Sequence, residues 1–168
     1  NAFTCAVTTA ANINFGGTTP TWTTGAALTV SGTTTITAGT ITQGTLAMTT
    51  GSLVLNGGNL TTTSTAAIAF TVSGTTNLTN GTLSIPTATG TKTFTGLVTV
   101  GNGGTMSGAS TTIALGAGIA NSAGTVIFLM AAAVEYPRNA RVGARTFLAF
   151  QQAGDFLELA ADFFHHGK

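Results

Sequence analysis

Charge is almost missing from most of this chain. Lys92 is the only charged side chain before Glu135, and the other eight are crowded into the last 34 residues. Without Asp or Glu, residues 1–134 cannot pair carboxylates for general acid–base work, nor gather the carboxylate oxygens that a calcium loop needs. No histidine precedes His165, so the many Ser and Thr hydroxyls have no neighbouring base to activate them as nucleophiles. A formal net charge of +1 leaves no basic stripe to displace counterions from nucleic acid. The expectation is a chain that is not an enzyme, takes no cofactor and binds no nucleic acid.

Cysteine, proline and long apolar runs are scarce as well. Cys5 is alone, which excludes an intramolecular disulfide and a cysteine-based zinc site. The apolar stretch from Val126 to Val134 is far shorter than the 18 or so residues of a helical membrane span. The chain opens on Asn1 with no basic segment leading into an apolar one, so a signal peptide reads as already removed or not carried. His165 and His166 lie near Asp162, but adjacent histidines point apart and lack supporting groups, so no metal site is expected.

What the first four-fifths does contain is Thr, Gly, Ala and Val. Pro20 and Pro86 are its only prolines, and β-branched residues abound, the reverse of a disordered composition. Branched Cβ atoms suit a pleated surface, so this body should be β.

Self-comparison reveals a repeat. Thr71-Val-Ser-Gly-Thr-Thr-Asn-Leu-Thr-Asn-Gly-Thr-Leu-Ser echoes Thr29-Val-Ser-Gly-Thr-Thr-Thr-Ile-Thr-Ala-Gly-Thr-Ile-Thr at an offset of 42 residues. A shorter unit, Thr-apolar-hydroxyl, recurs at Thr40-Ile-Thr, Thr82-Leu-Ser and Thr105-Met-Ser, with Thr21-Trp-Thr and Thr61-Thr-Thr in related places. Its spacing averages about 21 residues. Asn59, Asn80, Asn102 and Asn121 keep a similar rhythm, and Asn80-Gly81 and Asn102-Gly103 read as turns. Stacked turn asparagines can form an amide ladder, so these four are the candidate turn ladder.

Within the segments apolar and hydroxyl residues alternate, so one set can fill a narrow interior while Thr faces water. The fold expected is an all-β parallel β-solenoid of about 21-residue coils; a β-sandwich is the competing arrangement, but it has no reason to keep a fixed period. Residues 1–19 read as an N-terminal cap or lead-in, 20–127 as the solenoid, and 128–168 as an apolar segment with a helical tail. In that tail Phe147, Phe150, Leu157 and Phe164 share one helical stripe. It reads as a cap over the last coil, as an assembly or docking surface, or as a non-native terminus.

The Gly-Thr-apolar-Thr units between Asn-Gly turns, notably Thr71 to Ser84 and Phe94 to Thr105, resemble the β-strand repeats of secreted bacterial surface and adhesin-type proteins. The resemblance covers about residues 20–127. It implies an extracellular or cell-surface structural or adhesive module without catalytic residues, whose partner is a surface ligand or another copy added end to end. The Thr-x-Thr units also resemble those of β-solenoid antifreeze proteins, which implies ice as an alternative partner. The candidate array is Thr21, Thr23, Thr40, Thr42, Thr61, Thr63 and Thr82. A fibre subunit is a further alternative, since Cys5-Ala-Val with Asn14-Phe-Gly resembles the opening of some secreted pilins and little charge opposes stacking. Asn59, Asn77 and Asn80 match the glycosylation pattern, which has meaning only in a glycosylating secretory system.

Overall fold

The computed structural model describes residues 2–17, 20–63, 67–86, 90–109, 112–128 and 133–135. These residues form a parallel β-solenoid of about six turns, with coils of about 21 residues. The first coil holds β1 (Ala2–Cys5), β2 (Thr9–Ala10) and β3 (Ile13–Phe15), and the second β4 (Thr21–Thr24) and β5 (Leu28–Ile36). Next come β6 (Thr40–Thr42) and β7 (Met48–Asn56), then β8 (Asn59–Thr61), β9 (Phe70–Val72) and β10 (Thr76–Ile85), which passes from the fourth coil into the fifth. The remaining strands are β11 (Lys92–Phe94), β12 (Val98–Val100), β13 (Gly104–Gly108), β14 (Thr112–Leu115), β15 (Ile119–Asn121), β16 (Thr125–Phe128) and β17 (Ala133–Glu135).

Every pairing between these strands is parallel, and the pairings sort into three stacks, one per face of the column. The first face stacks β1, β4, β6, β8, the end of β10, β13 and β16. The second stacks β2, the starts of β5 and β7, then β9, β11, β14 and β17. The third stacks β3, the ends of β5 and β7, the start of β10, β12 and β15. At a strand spacing of about 4.8 Å, six turns make a column about 29 Å long.

Alternation explains why the chain winds this way. On the first face Trp22, Ile41, Leu60, Leu83, Met106 and Val126 point inward, and the four central ones are fully buried. The other two faces add Leu28, Met48 and Phe70, and Ile36, Leu55 and Leu78, to the same continuous core. Each such side chain gains about 1.5–3 kcal/mol by leaving water, offset by the entropy of ordering its coil. The corner leading back to the first face carries a glycine with positive φ in successive coils, at Gly39, Gly57, Gly81 and Gly103. Of the two expected turns, Asn102-Gly103 is one, whereas Asn80-Gly81 lies inside β10, where that strand passes from the third face to the first. At Gly108 the absence of a side chain does the packing: a Cβ there would meet Ile113 Cδ1 and Phe128 Cδ1, each at 2.6 Å.

The 42-residue repeat equals two coils, since Thr29 pairs with Thr49 and Thr49 with Thr71. Within residues 1–19, expected as a cap or lead-in, residues 2–15 form a first coil in register with the second. The described residues contain no helix; the expected helical segment from Ala144 to Phe164 lies outside them.

Candidate functional site

The first face carries most of the residues of the candidate array. Its strands present two outward ranks, because side chains two apart in a strand point the same way. Register places Ala2, Thr21, Thr40 and Asn59 in one rank, continued by Thr82, Thr105 and Thr125. The parallel rank runs Thr4, Thr23, Thr42, Thr61, Ser84, Ser107 and Ile127. Hydroxyls therefore lie about 7 Å apart along each strand and about 4.8 Å apart from coil to coil. Where Asn59 interrupts the Thr rank, its Oδ1 accepts the backbone N–H of Thr82 at 2.9 Å and so ties one coil to the next.

Of the seven candidate array residues, the structure brings together Thr21, Thr40 and Thr82 in the first rank and Thr23, Thr42 and Thr61 in the second. Thr63 does not join them. It is buried, and its backbone N–H donates to Gln43 Oε1 at 3.2 Å. Gln43 Nε2 donates in turn to the carbonyls of Leu46 and Ala69, so this buried amide stitches the corner between the first and second faces. The four asparagines do not form one ladder. Asn59 opens β8 on the first face, Asn80 lies at a corner opposite Asn56, and Asn102 is in a turn. Asn121 is buried on the third face, where it bonds Gly124 through both its Oδ1 and Nδ2.

Two features escaped the sequence reading. Thr9, Thr29, Thr49, Thr71 and Thr93 form a single in-register rank on the second face. Its signal was present in the steps of 20, 20, 22 and 22 residues between them. The other is Lys92, fully buried in the inward rank between Phe70 and Ile113. Its Nζ donates to the Ile68 carbonyl at 2.5 Å, and burial pushes its pKa below the ordinary lysine value. Here too alignment held the clue, since Lys92-Thr-Phe occupies the register of Phe70-Thr-Val, with Lys at an inward position.

The two outward ranks of the first face hold hydroxyls, the Asn59 amide and, at the ends, Ala2 and Ile127, and no charged side chain. Each hydroxyl can donate one hydrogen bond and accept others, and the branched Cβ of Thr restricts the directions it can take. Such a surface can hold a neutral, hydrogen-bonding partner of matching repeat. Comparison with protein-family models, with curated proteins and with solved structures gives no match.

Proposed function

We propose that this chain is a non-enzymatic structural or adhesive module of a bacterial surface protein, working outside the cell, with its first face as the contact surface. The observation that carries the reading is the pair of uncharged ranks running from coil to coil on that face. The rigid core behind them supports it, because a contact surface built on ordered strands loses little conformational entropy on binding. The resemblance to bacterial strand repeats, together with the lack of carboxylates and histidine in residues 1–134, favours an adhesive role over a catalytic one.

Adsorption of the purified chain to hydroxylated surfaces tests it. Thr42→Lys with Thr61→Lys on the first face should weaken adsorption, while Thr49→Lys with Thr71→Lys on the second should leave it near the parental level. Equal effects from both pairs would refute the assignment of the face.

A fibre subunit is a second reading, favoured by a different observation. Among the described residues β1, β2 and β3 each pair on one side only, and Phe3 and Val7 near that edge are exposed. Unpaired strand edges add further chains unless charge or proline blocks them, and neither is present in β1 to β3.

A further inference from the structure

We propose that Asn102 is a site of spontaneous modification, where loss of the side-chain amide turns an uncharged corner of the column acidic. The observation behind it is a stack of Asn-Gly pairs. Asn56-Gly57, Asn80-Gly81 and Asn102-Gly103 follow one another at the passage from the third face to the first, with Asn80 in register opposite Asn56. All three asparagines are exposed and all three glycines have positive φ, so exposure and backbone conformation do not tell the pairs apart.

Hydrogen bonding does. The Gly57 N–H donates to the Asn80 carbonyl and the Gly81 N–H to the Gly103 carbonyl, the latter at 3.1 Å, so both peptides are tied to the next coil. Asn80-Gly81 also lies inside β10, with a coil paired on either side. Asn102-Gly103 is held differently. The two residues form the tip of a turn closed by the Gly104 N–H on the Gly101 carbonyl at 3.0 Å, and among the described residues the Gly103 N–H has no acceptor. The stack ends there because the following coil turns through Asn121 and Gly124, bonded to each other.

That free peptide nitrogen is the nucleophile. It attacks Cγ of Asn102, the new N–C bond closes a cyclic imide, and Nδ2 leaves as ammonia carrying the proton that the peptide gave up. Water then opens the imide at either carbonyl and leaves aspartate or isoaspartate. Glycine as the following residue puts no side chain in the way of the attack and lets the peptide rotate. At Gly57 and Gly81 the same rotation must first break a hydrogen bond between coils, so reaction waits on local opening.

Residues 1–134 contain no Asp or Glu, so the product is the first carboxylate on that part of the chain. It stands at the corner leading into β13 on the first face, and isoaspartate also lengthens the main chain there by a carbon.

Peptide mapping by mass spectrometry during incubation at mildly alkaline pH tests the proposal, each site's rate being read against its own rate in urea. In the folded chain Asn102 should exchange amide for acid at close to its unfolded rate and yield isoaspartate. Asn56 and Asn80 should fall below theirs by on the order of tenfold or more, since their peptides must open first. On isoelectric focusing the parent should drift acidic, whereas an Asn102→Gln chain with unchanged circular dichroism should not. Protection of Asn102 equal to that of Asn56 and Asn80 would overturn the proposal, as would a folded chain in which either of those two reacts first.

Discussion

Lys92 is the residue whose position departs most from its chemistry. An ammonium in a core of Phe70, Phe94 and Ile113 has lost its water, and among the described residues it donates to the Ile68 carbonyl. Burial therefore favours the neutral amine, which can still donate that hydrogen bond. Because the folded pKa lies below the ordinary 10.5, the unfolded chain binds more protons across the interval between the two values. Stability should rise with pH through that interval and reach its full value above 10.5. Lys92→Met keeps the length of the side chain and removes the charge. It should flatten the pH dependence of the urea midpoint and raise stability at neutral pH by on the order of 1–3 kcal/mol, the cost of a poorly satisfied buried polar group. An unchanged pH profile in the variant would show that the fold does not lower the Lys92 pKa.

At the scale of the strand, inward and outward positions should respond to substitution in opposite ways. Leu60→Ala removes a fully buried side chain from the inward rank and should cost about 2–5 kcal/mol. Thr61→Ala, one residue along and facing outward, should stay within about 0.5 kcal/mol. Thr63→Tyr should destabilise by forcing a ring into a buried corner, whereas Thr42→Tyr should fold normally. Denaturant melts of the four variants check the set.

The same strand shows how far the sequence could be read. Alternation, period and parallel stacking were all legible, because Leu, Ile and Val fall every second residue between turn signals. The register of the fourth coil was not. Thr61, Thr62 and Thr63 are identical, so alternation among them cannot say which side faces in. The apolar neighbour decides it: Leu60 stacks on Ile41, making Asn59-Leu-Thr61 the counterpart of Thr40-Ile-Thr42. Asn59 hid that unit, since it replaces the hydroxyl that marks the others. The first rank consequently advances by 19, 19, 23 and 23 residues from Thr21 to Thr105, rather than by an even period. Much of the excess falls at the corner after the first face, where Thr42 and Met48 are separated by five residues but Thr61 and Phe70 by eight. Corners absorb such insertions because the ladder does not pass through them.

At the scale of the whole molecule, stability is a sum over neighbouring coils, so the ends should behave differently from the middle. Among the described residues the first coil pairs on one side only. Its inward residues Cys5 and Ile13 are only partly buried, and Phe3 is 45% exposed. Amide exchange should therefore be fastest in β1 to β3 and slowest in β7 to β10. Light scattering should show concentration-dependent association if the open edge recruits a second copy, and Thr4→Pro should suppress it by blocking β1. A monomer at all concentrations would set the fibre reading aside while leaving the first face as the contact surface.

The most direct measurement is a cysteine cross-link across the first face, made in a Cys5→Ser background. Adjacent strands bring Cα atoms about 4.8 Å apart, within disulfide reach. Thr42→Cys with Thr61→Cys should oxidise rapidly in the native state, and Thr42→Cys with Thr63→Cys should stay reduced. Bridging of the second pair and not the first would contradict the register, and with it the two ranks on which the proposed function depends.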